Sequence, residues 1–118
     1  MCTLKRIWAA LTADWEEAVP LPVLRPSPAV RKHLVFSGLV QGVGFRFEAV
    51  RLARRLDLTG WVKNQASGSV EMELQGEDER LTLLVKQMRS IRRITVQSVT
   101  EERLPLIPGE AEFTIKWE

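Results

Sequence analysis

The chain predicts an α+β fold in which two helices cover one face of an antiparallel sheet. Three observations predict it. Apolar spacing alternates between period two and helical period in the order β-α-β-β-α-β, one strand carries a wholly polar second face, and four prolines separate this region from the N-terminus.

The first strand is read from His33–Ser37, which is apolar and β-branched, and a glycine-punctuated turn from Gly38 to Gly44 follows it. Phe45, Ala49, Leu52, Ala53 and Leu56 then recur at helical spacing, with Arg51, Arg54 and Arg55 on the outer side. Thr59–Gln65 reads as a strand, Ala66-Ser67-Gly68 as a hairpin turn and Ser69–Gln75 as the partner strand. In that partner Val70, Met72 and Leu74 alternate with Glu71, Glu73 and Gln75, so one face is wet. Leu81, Leu84, Val85 and Met88 mark a second helix. Glu77, Asp78 and Glu79 sit in its first turn and Lys86 and Arg89 in its last, as the macrodipole favours. Ile94, Val96 and Val99 suggest a further strand, and Phe113, Ile115 and Trp117 a short final one. The order matches the split βαβ, or ferredoxin-like, motif with an extra C-terminal strand.

Residues 1–30 form an N-terminal extension to a domain spanning 31–118. Leu4, Ile7, Trp8, Leu11 and Trp15 fall on one face of a short helix over about residues 4–18. Lys5 and Arg6 at its start and Asp14, Glu16 and Glu17 at its end oppose the macrodipole, so this helix needs tertiary contacts. Pro20, Pro22, Pro26 and Pro28 make residues 19–30 a semi-rigid connector.

Composition excludes several classes of function. With 45% apolar and 27% charged residues the chain is not disordered. Seventeen Lys and Arg against fifteen Asp and Glu leave a net charge of only +2, without the basic signature of a dedicated nucleic-acid binder. The single cysteine, Cys2, excludes an internal disulfide framework and a cysteine zinc cage. The single histidine, His33, excludes a two-histidine metal site and reads as a strand side chain. No apolar run approaches the ~20 residues that cross a bilayer. A cytoplasmic monomer is expected, with no membrane partner.

The chemistry concentrates in the turn Gly38-Leu39-Val40-Gln41-Gly42-Val43-Gly44-Phe45-Arg46. Glycines permit positive φ, the first amides of the following helix lack intrahelical partners, and successive N–H groups can form an anion nest. Arg46 adds a planar fork suited to phosphate oxygens. The same glycines also suit a plain strand-to-helix turn with a solvated arginine, and their spacing alone does not separate the two readings. Neither the dinucleotide pattern GxGxxG nor the P-loop pattern is present.

Gly38 to Arg46 resembles the VQGVxFR signature of acylphosphatases, and Gly60-Trp61-Val62-Lys63-Asn64 resembles their GWVxN motif. The likeness continues through Gly68-Ser69-Val70 and Gln75-Gly76 and covers about residues 31–117. It implies that Arg46 grips a substrate phosphate together with a cradle from Gln41, Gly42, Val43, Gly44 and Phe45, while Asn64 orients the attacking water. The implied substrate is a small-molecule acyl phosphate, cleaved to carboxylate and inorganic phosphate without metal or cofactor. Such chemistry suits a sparse site, because a carboxylate leaves readily and phosphoryl transfer rests on positioning and charge. The sequence departs from the family pattern at Leu39, where a basic residue is frequent, and at Asp57, where a glycine ends the helix. Ser90 to Ile94 also lacks a Gly-Pro pair.

Two other functions fit parts of the pattern. One is a phosphate- or carbamoyl-phosphate-binding module without turnover. The other is an RNA-binding domain of the RRM type, which stacks bases on strand aromatics; Val70–Leu74 offers none. Trp61 reads as a core residue, and the arginines Arg89, Arg92 and Arg93 read as a solvated helix end.

Overall fold

The computed structural model describes residue 24 and residues 26–117. In chain order the elements are β1 (Ala29–Leu39), α1 (Phe45–Arg55), β2 (Thr59–Asn64), β3 (Val70–Glu77), α2 (Asp78–Ser90), β4 (Thr95–Leu104) and β5 (Phe113–Ile115). The five-stranded sheet has the order β4-β1-β3-β2-β5. β1 lies antiparallel to both β3 and β4, and β2 antiparallel to β3, so each helix spans a crossover between strands that are not neighbours. The added strand differs from its fellows: β5 pairs parallel to β2, which makes the sheet mixed. It also ends at Ile115, before Trp117.

Period-two alternation decides which residues meet the helices. Val30, Leu34 and Phe36 of β1, Val62 of β2, and Val70, Met72 and Leu74 of β3 all face the helical layer and are buried. α1 answers with Phe45, Ala49, Leu52 and Ala53, and α2 with Leu81, Leu84 and Met88. The small side chains of Ala49 and Ala53, both fully buried, suit a close approach of α1 to its neighbours. At the end of α1, Asp57 adopts the left-handed region with φ 55°. The Leu58 N–H bonds the Ala53 carbonyl at 2.8 Å, closing a Schellman-type cap at the position where the family resemblance has glycine.

Three expectations are corrected. Gly38 belongs to β1 rather than to the following turn: register slips between Ser37 and Gly38, and a Cβ there would lie 2.2 Å from the Thr95 carbonyl oxygen. Trp61 is not core. It alternates with Gly60 and Val62, lies partly buried on the open face of the sheet, and carries the Lys116 ammonium 4.1 Å from its ring centre. The structured body also begins earlier than residue 31. β1 starts at Ala29, Leu24 packs on the core, and the Ser27 N–H bonds Glu77 at 2.9 Å, so part of the proline-rich stretch is tied to the sheet. The helix expected over residues 4–18 lies outside the described residues. No helix among the described residues is long and apolar enough to cross a membrane.

The open face is held by charge. Arg31, only 1% exposed, donates to Glu73 at 2.8 Å, to Gln75 at 3.1 Å, and through two nitrogens to Glu110 at 2.8 and 3.2 Å. It thereby joins β1, β3 and the segment leading to β5. His33 pairs with Glu71 at 2.7 Å on the same face.

Two of these carboxyls connect stability to pH. The His33 hydrogen bond holds Glu71 below its ordinary value of 4.5, overcoming burial. Burial works to raise Glu110, but its hydrogen bonds with Arg31 and Thr59 and the Arg31 charge outweigh it and leave the group lowered. Both bind a proton more weakly when folded than when unfolded. Their contribution is therefore present above the ordinary carboxylate value and is lost as pH falls through the depressed folded values. Urea midpoints measured at successively lower pH are expected to fall across that window. Arg31→Met is expected to cost about 3 kcal/mol at neutral pH and to make the acid dependence shallower. An acid dependence of unchanged steepness in Arg31→Met would contradict the assignment.

Candidate active site

The chain leaves β1 at Leu39 and turns through Val40, which is buried and anchors the bend. Gly42 and Gly44 both take left-handed backbone, with φ of 74° and 79°. Gly44 is the N-cap of α1 and has no side chain with which to cap it. Most helices fill this place with Ser, Thr, Asp or Asn, whose oxygen occupies an amide of the first turn. Here the first backbone bond of α1 runs from the Glu48 N–H to the Gly44 carbonyl at 3.1 Å. The amides of Phe45, Arg46 and Phe47 precede that bond and have no intrahelical acceptor. Together with the dipole of an eleven-residue helix they present partial positive charge to an anion. The Phe45 side chain is buried against Phe36, ring centres 5.0 Å apart, so this residue offers its backbone to the site and its ring to the core.

Asn64 ends β2. It lies two residues beyond Val62 and so on the helix-facing side of the sheet, the side on which α1 begins. Gln41 joins this strand end to the turn. Its Nε2 donates to the Gln65 carbonyl at 2.7 Å and the Ser69 carbonyl at 2.8 Å, across the hairpin that follows Asn64. The hairpin also closes on itself through the Gln65 N–H and the Ser69 carbonyl at 2.9 Å. Gln41 thus contributes a clamp in addition to any backbone contact.

Arg46 occupies the second position of α1 and projects toward the same strand end. Its Cζ lies 4.6 Å from the centre of the Trp117 ring. Trp117 follows β5, whose Lys116 N–H bonds the Val62 carbonyl at 2.8 Å, and this parallel pairing carries Trp117 alongside the end of β2. The Phe47 and Trp117 rings lie 6.4 Å apart, centre to centre, with their planes tilted. At 4.6 Å the Trp117 ring and the Arg46 guanidinium attract one another as a cation–π pair.

Beneath the turn sits an ion-pair trio. Glu48 is 5% exposed, and its carboxylate bonds Arg51 through one oxygen and Arg93 through the other. Arg93 also donates from Nε to the Val43 carbonyl at 2.8 Å. A lone carboxylate so close to the turn would repel any anion that approached it. Two guanidiniums convert the trio to a net single positive charge.

The sequence reading marked Gln41 to Arg46 and Asn64, and the fold gathers them at one end of the sheet. It missed Glu48, Arg93 and Trp117. Arg93 is no solvated helix end, because it reaches back across fifty positions to the turn. For Glu48 a signal existed: an acid three residues before Arg51 in a first helical turn. Nothing local to Trp117 announces its contact, which arises from the parallel pairing of β5. The open face of the sheet, where an RRM would bind RNA, carries Glu71 and Glu73 on β3, and its Trp61 ring is covered by Lys116.

The acylphosphatase sequence family matches residues 32–115. An acylphosphatase of Bifidobacterium longum is 48% identical over 83 residues, covering 70% of this chain and 86% of that protein. An acylphosphatase of Chlorobaculum tepidum is 40% identical over 86 residues, covering 72% of this chain and 94% of that protein. The solved structure of an acylphosphatase from Coxiella burnetii superposes with a TM-score of 0.68 at 31% identity, over 75% of this chain and 93% of that one. The similarity runs through the turn, α1 and the hairpin that build the site, and the chain belongs to the acylphosphatase family.

Proposed function

We propose that this protein hydrolyses the carboxyl–phosphate bond of small acyl phosphates, R–CO–OPO₃²⁻, releasing a carboxylate and inorganic phosphate. The observation that carries the reading is the uncapped, left-handed turn at Gly42–Gly44, which sets open helix amides beside Arg46. Family membership supplies the reaction class, and the site supplies donors suited to it.

In this reading the substrate phosphate lies over the N-terminus of α1. Amides of Gly42, Val43, Gly44 and Phe45 and the fork of Arg46 take its oxygens, and Gln41 holds the turn against the hairpin. Asn64 fixes a water in line with the bond to be broken. The water oxygen bonds phosphorus, the phosphorus–acyl oxygen bond breaks, and its electron pair leaves on the carboxylate. The water proton passes to a phosphate oxygen, since an asparagine amide is not a base. Charge spreads over the phosphoryl oxygens in the transition state, where positioned N–H donors and a guanidinium act most strongly. The chemistry falls within the domain of residues 31–118, and among the described residues the N-terminal extension adds to it the start of β1 and the contacts of Leu24 and Ser27.

Every donor in the cradle is an N–H group and Arg46 carries positive charge of its own, so no metal ion is required to hold the phosphate. Hydrolysis of an aryl acyl phosphate is accordingly expected to proceed at an unchanged rate in excess chelator. A rate abolished by chelator and restored by Mg²⁺ would contradict this mechanism. Phosphate binding without any turnover would favour the binding-module alternative.

Arg46 and Asn64 are expected to fail differently when replaced. Arg46→Ala loses both phosphate affinity and transition-state stabilisation, and Arg46→Lys recovers little because a point charge lacks the planar fork. Asn64→Ala lowers kcat on the order of 10²–10³, by analogy with losing one preorganised donor, while inhibition by inorganic phosphate stays nearly constant. If Asn64→Ala weakens phosphate inhibition as much as Arg46→Ala does, the water-positioning role is wrong.

A further inference from the structure

The two peptide units flanking Gly44 are each held by their carbonyl. The Gly44 carbonyl accepts from the Glu48 N–H at 3.1 Å, and the Val43 carbonyl accepts from Arg93 Nε at 2.8 Å. In a trans peptide the C=O and the N–H of one unit point in opposite directions. Fixing the Gly44 carbonyl therefore aims the Phe45 N–H outward, and fixing the Val43 carbonyl aims the Gly44 N–H away from Arg93. The first restraint is ordinary helix. The second comes from a side chain fifty positions away.

Arg93 is built for that restraint. It leaves a tight connector between α2 and β4, closed by the Ile94 N–H on the Ile91 carbonyl at 3.0 Å and anchored by buried Ile94. Its Nε takes Val43 while Nη2 takes Glu48, so the guanidinium joins the turn to the first turn of α1. Arg51 holds the other oxygen of that carboxylate. A Cβ on Gly44 would lie 3.5 Å from Arg93 Nη2, which shows how closely the guanidinium lies under the turn. Arg93 itself remains about half exposed, so its contacts serve the turn rather than the core.

We propose that Arg93 is a positioning residue for phosphate binding: through the Val43 carbonyl it sets the direction of the Gly44 N–H, and Glu48 sets the direction of Arg93. This rests on the cradle reading above. Without Arg93 the 43–44 peptide is free to rotate, and one donor of the cradle is lost while its neighbour at Phe45 is kept. The side chain touches no substrate, so its effect is on geometry rather than on chemistry.

The test is a titration of the full-length protein with inorganic phosphate, followed by the backbone amide resonances, beside inhibition and turnover with an aryl acyl phosphate. In the unmodified protein phosphate is expected to shift both the Gly44 and Phe45 amides. In Arg93→Ala the Gly44 response should collapse while the Phe45 response persists, and the phosphate inhibition constant should rise about tenfold, as for one charge-assisted hydrogen bond. Arg93→Lys, with a single ammonium that cannot bridge both partners, should fall between the two. Arg92→Ala removes the same charge one position away on an exposed residue and should change the constant by no more than about twofold. An unaltered Gly44 response in Arg93→Ala, or an equal loss in Arg92→Ala, would overturn the positioning role. Phosphate binding with these responses but no turnover would overturn the proposed hydrolysis and leave the positioning role standing. No phosphate response in the unmodified protein would overturn both.

Discussion

A cradle made of amides works only if the carbonyls of the same peptides are held elsewhere. This constraint organises the functional end of the molecule. The turn from β1 to α1 has to pass twice through left-handed backbone, which Gly42 and Gly44 permit. It then has to keep its carbonyls on the protein side, and Glu48 supports this in two ways. Its backbone N–H takes the Gly44 carbonyl, and its carboxylate orients Arg93 on the Val43 carbonyl. Burying a carboxylate beneath an anion site is unfavourable unless it is neutralised, and the two guanidiniums do so.

The site and the scaffold are stabilised on opposite faces of one sheet. On the open face Arg31 ties β1 to β3 and to Glu110, steadying the segment that delivers β5 to the edge of β2. On the helical face the apolar layer seats α1 through Phe45, Ala49, Leu52 and Ala53. The two meet at Trp117, which the pairing of β5 brings under the guanidinium of Arg46. An extra strand of three residues thus does more than widen the sheet. Its pairing with β2 places Trp117, which follows it, with its ring centre 4.6 Å from the Arg46 guanidinium carbon.

Much of this was legible because it is written in local periodicity. The alternation of Val70 to Gln75 and the helical spacing of Phe45 to Leu56 specify burial residue by residue, and strand order followed from the motif they matched. Gln41 to Arg46 and Asn64 are read as a site only through their resemblance to two family motifs, since the glycines and the arginine by themselves also suit a plain strand-to-helix turn. What escaped depends on contacts distant in sequence. Arg93 looked like a solvated helix end, since nothing beside it reveals the Val43 carbonyl. Gly38 looked like part of the turn, since its need for glycine comes from the close approach of Thr95 on another strand. Trp61 looked like core because aromatic residues usually are, whereas the alternation of β2 turns it to the open face. Asp57, marked by the family resemblance as standing where a glycine ends the helix, takes the left-handed backbone that such a glycine would adopt.

The central claim is that water attacks phosphorus, held over the amides of α1, and not the acyl carbon. Turnover of an aryl acyl phosphate in water labelled with heavy oxygen, read by phosphorus NMR and by mass spectrometry of the acid, tests it directly. Attack at phosphorus predicts that the label enters inorganic phosphate and that the carboxylate product is unlabelled. Label in the carboxylate would mean attack at the carbonyl, and would contradict both phosphate capture by the cradle and water positioning by Asn64.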